Sequence, residues 1–271
     1  MLENVCMTNR SAAIAITDIR ASFGRLSLVG MLGWRDIRQR YRRSSLGPFW
    51  LTISMAIMIG TLGLVFGQIF KTPMRDFFPF LTAGIIFWTF ISSVLGEGCA
   101  TFIQSDGIIK QLPIPLFVHV MRMMWRNLLI LGHNIVIFPL VVLLIGHAPG
   151  WTVLWVVPGL LLLILNMGWM ALILGVVCTR YRDLSQIVNS VIQVVFYLTP
   201  VMWMPSLLPD RAGALLQINP FYHLIAMVRD PLLGHVPGLV SWGVCLGTAL
   251  VGWMLALKFY GRYKHRIAYW L

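Results

Sequence analysis

Acidic side chains are scarce in this sequence and nearly absent from its apolar runs: nine Asp and Glu stand against 21 Lys and Arg in 271 residues. Carriers driven by protons or sodium ordinarily keep ionisable groups at mid-membrane depth. The scarcity weighs against that class, although Asn and Gln leave a neutral site open. Lysine occurs only at 71, 110, 258 and 264 and never follows a glycine. The phosphate-cradling GxxxxGK[ST] loop is therefore missing, and with it ATP hydrolysis through such a loop. HExxH, GxSxG and carboxylate pairs sharing a span are missing too, so no catalytic residue is assigned. Cys6, Cys99, Cys178 and Cys245 show no CxxC spacing. Three lie in or beside apolar runs, which fits buried free thiols better than disulfides or a metal site. No short apolar core with a small-residue cleavage site opens the chain, so a removable signal peptide is not expected.

What is abundant is apolar length. Hydrophobic residues make up 58% of the chain and charged ones 11%, against roughly 25% charged in average soluble proteins. Mean hydropathy is +0.81, and eleven tryptophans suit a protein anchored at two membrane interfaces. The composition predicts an all-α integral membrane protein, a single transmembrane domain over residues 1–271 with about six spans and little else. The apolar runs place those spans at 49–70, 78–95, 127–145, 153–177, 184–204 and 239–260. Residues 96–126 read as a polar interval. His133, Asn134 and Pro139 interrupt the third run, where Pro139 predicts a kink. Residues 1–32 are mixed, with a short helix expected around 12–32.

The net charge of +12 suggests a nucleic-acid binder until its distribution is considered. Eight Lys and Arg precede Phe49 and four follow the last apolar run. Basic residues gathered at both ends of a hydrophobic chain signal retention on the cytoplasmic side, whereas nucleic-acid binding prefers a basic face on a soluble fold. With both ends inside, six spans leave seventeen Lys and Arg in the cytoplasm and four outside (Lys71, Arg75, Arg211 and Arg229). The prediction is N-in and C-in.

Four segments stand out. Residues 33–48 carry Arg35, Arg38, Arg40, Arg42 and Arg43 ahead of the first span. On a helix Trp34, Ile37 and Tyr41 share one face, with Arg35, Arg38 and Arg42 beside it, which suits an amphipathic helix on an anionic membrane surface. In a soluble protein the same pattern would be a basic surface helix, but the apolar run behind it argues otherwise. Residues 104–115 form an amphipathic piece ended by prolines, with Ile108, Ile109 and Leu112 as an apolar knob suited to a partner's groove or simply to a connector. Arg180-Tyr181-Arg182-Asp183 is a compact charged turn, ordinarily a membrane-edge anchor. Between spans five and six, residues 205–237 place Phe221, Leu224, Ile225, Val228 and Leu232 on one helical face. That piece is too short and too charged to span, so a re-entrant or interfacial helix pair joined at Asn219-Pro220 fits better than a plain loop.

At this point the sequence resembles a known family. Arg35-Asp-Ile-Arg-Gln-Arg-Tyr-Arg-Arg-Ser-Ser-Leu-Gly-Pro-Phe-Trp50 is similar to the entrance signature of ABC-2-type permeases that export polysaccharides. Phe66-Gly-Gln-Ile-Phe70, Ile108-Ile-Lys-Gln-Leu-Pro-Ile-Pro115, Arg180-Tyr-Arg-Asp183 and Asn219-Pro-Phe-Tyr222 follow in the expected order. The likeness covers about residues 30–265. The O-antigen/lipopolysaccharide exporters are the nearest subgroup, with capsule and teichoic-acid exporters as relatives.

The resemblance implies a half-transporter of the bacterial inner membrane. Two copies of this chain would pair with two copies of a separate ABC ATPase, which would bind the ATP and Mg; no cofactor or metal belongs to this chain. It implies an interface helix at 33–48, with Arg35, Arg38, Arg40, Tyr41, Arg42 and Arg43 beside the substrate entrance. Coupling would fall to Asp106, Ile108, Ile109, Lys110 and Leu112, with Arg180, Tyr181, Arg182 and Asp183 near the same partner. Asn219, Pro220, Phe221 and Tyr222 would belong to outer gate helices. The implied cargo is a polysaccharide on a polyprenyl-diphosphate lipid. A sliding polymer tolerates few directional bonds, so Phe87, Trp88, Phe90, Phe196, Tyr197 and Trp203 are candidate channel aromatics; the interfacial aromatic belts are the plainer role for any one of them. The arginines have two compatible roles, attraction of the lipid diphosphate and attraction of anionic headgroups. Export of a small lipid or drug-like molecule is the main alternative. A membrane enzyme or scramblase lacks a catalytic constellation here.

Overall fold

A computed structural model describes residues 2–40, 42, 47, 49–146, 150–207 and 216–271, and among them there is no strand. Two helices precede the first span: α1 (Leu2–Phe23) and α2 (Leu26–Arg40). The bundle then comprises α3 (Phe49–Ile69), α4 (Met74–Ala100), the short α5 (Asp106–Gln111), α6 (Phe117–Asn134) and α7 (Ile137–Ile145). It is completed by α8 (Val156–Arg180), α9 (Leu184–Leu198), α10 (Pro220–Leu232) and α11 (Leu239–Trp270). Five helical stretches are long and apolar enough to cross a membrane: 49–69, 74–100, 117–145, 151–180 and 239–270.

The expected fifth span, 184–204, is the exception. Its helix stops at Leu198 because Pro200 drives Thr199 into an extended conformation (ψ 134°). Fifteen residues reach only about 22 Å, short of the roughly 30 Å of hydrocarbon. Two other boundaries move. Helix α4 begins earlier and ends later than 78–95, and α6 begins at Phe117. The polar interval of 96–126 therefore shrinks to a connection of about 101–116, and Glu97, Arg122 and Arg126 are helical residues. The break between α6 and α7 falls at Ile135 and Val136. Pro139 has no N–H for the Ile135 carbonyl, which instead accepts from Phe138 N at 3.0 Å.

Helix α4 is the axis. Over its apolar window 78% of residues are buried, against 17% for α3 and 28% for 117–145. It packs on α3, α6, α7, α8, α9 and α10. The α8–α11 seam shows how polar groups survive in this interior. Asn166 is fully buried; its Nδ2 donates to the carbonyls of Leu162 (2.9 Å) and Cys245 (3.0 Å). Its Oδ1 accepts from Trp169 Nε1 (3.2 Å) and Thr248 Oγ1 (3.0 Å). An amide with four bonds crosses the seam with nothing left for lipid to satisfy.

The first thirty residues, outside the family resemblance, are structural after all. Instead of one short helix over 12–32 there are two helices, parted at Gly24-Arg25, and α1 lies along α11. Asp18 is buried between them. Its Oδ2 accepts from Tyr260 Oη at 2.6 Å and from Phe117 N, at the start of α6, at 3.0 Å. Its Oδ1 pairs with Lys264 Nζ at 2.6 Å. One carboxylate thus joins α1, α6 and α11 and puts both ends of the chain on one face of the bundle. Beside it, a Cβ on Gly261 would stand 1.8 Å from the Ser11 carbonyl oxygen. Only glycine lets the two helices approach this closely.

Removing the Asp18 carboxylate leaves a buried ammonium-facing gap and an unpaired hydroxyl and amide. Asp18→Ala is expected to lose about 3–5 kcal/mol, read as a lower unfolding midpoint in detergent. Gly261→Ala is expected to destabilise too, whereas Gly243→Ala, with no atom within 4 Å of the added Cβ, leaves the midpoint unchanged or raised. Equal midpoints for the two glycine variants would refute the close-approach argument.

Candidate functional site

The face that carries both termini is built around a girdle of charge. Arg122 and Arg126 lie one turn apart on α6, so both point the same way. Asp36 of α2 accepts from Arg122 Nε at 2.7 Å, from Arg122 Nη2, and from Arg126 Nη1 at 3.1 Å. Arg126 Nη2 continues to Glu97 Oε2 of α4 at 2.7 Å, where Asn127 Nδ2 also donates at 2.7 Å. The chain Arg122–Asp36–Arg126–Glu97 therefore fastens α2 to α6 and α6 to α4. These groups border a polar cavity of about 310 Å³ together with Gln39, Gln104 and His119.

Helix α2 starts at Leu26, well before the expected 33, and is described as far as Arg40. The face it buries is Val29, Gly33 and Ile37, with Gly33 set directly against Trp125 of α6. Trp34, expected beside Ile37 on the apolar face, is 57% exposed, because burial follows the i, i+4 line through Gly33. Arg35, Arg38 and Arg42 are exposed. Tyr41, Arg43 and the Arg40 side chain lie outside the described residues.

Two further segments reach the same face. In α5, Asp106 and Lys110 pair at 3.0 Å across one turn. Leu112 is 52% exposed, while Ile108 is half-buried and Ile109 turns in against the core. The three apolar residues do not form one outward knob; Leu112 alone points out, with Pro113 and Pro115 following. After α8, Arg180, Tyr181, Arg182 and Asp183 are all exposed. The Arg180 guanidinium lies 5.9 Å from the Tyr181 ring and 5.5 Å from that of Trp270 at the end of α11.

At the opposite face sits α10, the described part of the expected helix pair; most of its expected partner, 208–215, lies outside the described residues. Asn219 caps it, accepting from Phe221 N at 2.9 Å, while its Nδ2 donates to Thr199 Oγ1 at 2.9 Å. Pro220 occupies the first turn, where its missing N–H costs nothing. Leu224, Ile225, Val228 and Leu232 are buried as the periodicity requires. Arg229, counted among the outside charges, is 2% exposed. It donates through Nη1 to the Pro200 carbonyl at 2.6 Å and lies 4.0 Å over the Phe80 ring. Thr152 Oγ1 donates to the Pro231 carbonyl at 2.9 Å, and His223 is bonded to Ser241 at 2.9 Å. These bonds gather the end of α9 with the starts of α8 and α11, so α9 runs antiparallel to both.

The aromatics divide into two sets. Phe87 and Phe90 are packed inside the chain at 1% and 4% exposure, which takes them off any surface. Trp88 meets Phe196 at 5.5 Å and Phe221 at 6.1 Å, and Phe196 meets Tyr197 at 5.3 Å. Trp203 Nε1 donates to the Tyr197 carbonyl at 3.3 Å. This run links α4, α9 and α10 and emerges at Tyr197, 58% exposed; Tyr222 is half-buried nearby. Sequence reasoning missed Asp36, Glu97 and the Arg122/Arg126 pair as a connected system, and missed the separate Asp18 junction. The available signal was a lone aspartate inside an arginine-rich stretch and two arginines four apart.

Comparison with known proteins follows the same elements. Residues 27–233, from α2 through α10, match the ABC-2 type transporter family. The O-antigen export system permease protein RfbA of Klebsiella pneumoniae is 22% identical over 240 residues, 86% of this chain and 91% of that one. The RfbA permease of Myxococcus xanthus is 24% identical over 207 residues, covering 74% and 78%. The polysialic acid transport protein KpsM of Escherichia coli is 25% identical over 217 residues, covering 78% and 82%. With membrane-length helices and a family match over residues 27–233, from α2 through α10, this chain belongs to the ABC-2 type transporter family of membrane permeases.

Proposed function

We propose that this chain is the membrane subunit of an ATP-driven exporter that carries a lipid-linked polysaccharide of O-antigen type out of the cytoplasm. The observation that carries the reading is the family match, joined by relatives named for O-antigen export along nearly their whole length. The named polysialic acid transporter favours a capsule-type glycan as the second reading.

In this reading the chain crosses the inner membrane six times, α9 with residues 199–204 supplying the fifth crossing, and both termini lie in the cytoplasm. An ABC ATPase, holding ATP and Mg, docks on the exposed face formed by α5 and residues 180–183. A push on α5 passes to α4 and α6, which the Asp36–Arg126–Glu97 girdle binds into one body with α2. Arg35 and Arg38, with Arg40, Tyr41, Arg42 and Arg43, draw the polyprenyl diphosphate to the cytoplasmic mouth. The polymer slides over Phe196, Tyr197 and Trp203, with the buried Trp88 packed behind Phe196, because aromatic faces hold sugars without fixing their register. Asn219, Pro220, Phe221 and Tyr222 form the hinge of α10 at the outer mouth. A second copy of the chain covers the open apolar faces of α3 and α9; α9 buries none of its own residues, so two permeases and two ATPases make the working unit.

Reconstitution tests the reading. The purified chain alone is expected to hydrolyse no ATP and move no glycolipid across proteoliposomes. Adding a cognate ABC ATPase is expected to confer ATP-dependent transport of a polyprenyl-diphosphate glycan. Transport by the chain without any ATPase would end the proposal. Coupling is tested separately: Asp106→Lys and Leu112→Asp are expected to cut transport roughly tenfold or more, the weight of one lost docking contact, with membrane insertion unchanged. Ile109, facing inward, reports on folding instead. Wild-type transport by both surface variants would show that the ATPase docks elsewhere.

A further inference from the structure

The α1–α2 elbow overhangs a crevice that the exporter reading does not use. It has a volume of about 830 Å³ and runs between the elbow and the flanks of α6, α8 and α11. None of its lining residues comes from α3, α4, α9 or α10, the helices assigned to the polymer path. Among the described residues Arg20 is the only charged one lining it; the rest are aliphatic or aromatic, apart from Gly30 and Gly168.

The crevice has a direction. Arg20 stands at the level of Asp18 and Lys264, on the face that carries both termini. The far wall is Ile164, Leu165 and Trp253, and Ile164 and Leu165 lie in the middle third of the bilayer-length helix α8. The indole N–H of Trp253, the polar atom at that end, donates to the Leu165 carbonyl at 3.0 Å, so the wall offers lipid no unsatisfied group. A charged end at the interface and a dry wall reaching the bilayer middle match an amphiphile lying parallel to the helices.

Charge selects among amphiphiles. Asp18, the nearest carboxylate along the helix, is already engaged by Lys264, Tyr260 and the Phe117 amide. Arg20 is exposed and has no hydrogen bond or ion pair with any described residue. Arg25, in the elbow between the lining residues Phe23 and Leu26, adds a second exposed cation at the mouth. Basic pockets between membrane helices take anionic headgroups. The interior is also open where it needs to be, since a Cβ on Gly30 would meet no atom within 4 Å.

We propose that this crevice binds one anionic phospholipid, its phosphate at Arg20 and an acyl chain along the wall from Phe23 to Trp253. The site rests on the chain's spanning a membrane and not on the exporter reading. The lipid acts as a wedge that seats the elbow, and hence α2, against α6.

The test is native mass spectrometry of the full chain, delipidated in detergent and titrated with dioleoyl phosphatidylglycerol or dioleoyl phosphatidylethanolamine. One phosphatidylglycerol per chain is expected to be retained about fivefold more tightly than phosphatidylethanolamine, the weight of one basic residue at an anionic headgroup. Arg20→Gln is expected to erase that preference with phosphatidylethanolamine retention unchanged, and Arg75→Gln, an exposed arginine outside the crevice, to preserve it. Gly30→Leu fills the space and is expected to abolish retention of both lipids. Equal retention of the two lipids by the wild type, or a preference that survives Arg20→Gln, would overturn the proposal. So would stoichiometric displacement of phosphatidylglycerol by a polyprenyl diphosphate, which would hand the crevice to the export substrate. Because Arg20 is exposed, its variant folds whether or not Gly30→Leu does.

Discussion

Lipid offers no hydrogen bonds, and the whole architecture answers to that constraint. The buried polar side chains that join helices hold fixed partners: Asn166 with four bonds across the α8–α11 seam, Asp18 with three donors from two other helices, and Arg229 with a carbonyl and an aromatic face, whereas the buried ring nitrogens of His119, beside the polar cavity, have no partner among the described residues. Because a satisfied polar group tolerates only one geometry, these residues choose which helices are neighbours. The apolar residues then fill the space between. Small residues set how near the helices come, most closely at Gly261 and at Gly159, where a Cβ would stand 2.2 Å from the Met227 carbonyl oxygen.

The two faces of the bundle are built on different terms. At the terminus-bearing face the fastening is ionic and partly wet: two arginines shared between two carboxylates, around a polar cavity. Such contacts can exchange partners and admit water at small cost. At the opposite face α10 is held by neutral caps, a buried guanidinium and backbone carbonyls, with α4 as the stiff member linking the two. Force applied at the first face meets a compliant joint and is delivered to a rigid one.

Much of this was legible in the amino-acid sequence because the bilayer simplifies the code. Runs of apolar residues located five long helices, Pro139 located the break before α7, and Asn219-Pro220 located the start of α10, each through a local backbone rule. The likeness of residues 35–50 and 108–115 to ABC-2 permeases pointed to the family that the comparisons bear out. What stayed hidden is non-local. Trp34 looked like part of an apolar face, but Gly33 fits against Trp125 and turns the helix by one position. Arg229 looked like an outside charge because nothing near it in sequence announces Phe80 or the Pro200 carbonyl. Phe87 and Phe90 looked like lining for a path, since composition cannot tell a residue facing the bundle from one facing a channel. Ile109 was grouped with Leu112, yet Leu112 lies just past the end of α5 in an extended conformation and points away from Ile109.

The Asp18 contact has a consequence for how the protein is made. Its hydroxyl partner, Tyr260, lies 242 positions further along the chain. At about 5–20 residues per second a nascent Asp18 waits roughly 12 to 48 s before Tyr260 is even synthesised. During that interval α1 can lie only against α6, and its carboxylate lacks two of its three partners, the Tyr260 hydroxyl and the Lys264 ammonium. A helix made early is thus locked late, and a ribosome that stops before Tyr260 leaves α1 without its lock and exposed to any protease that surveys the membrane surface.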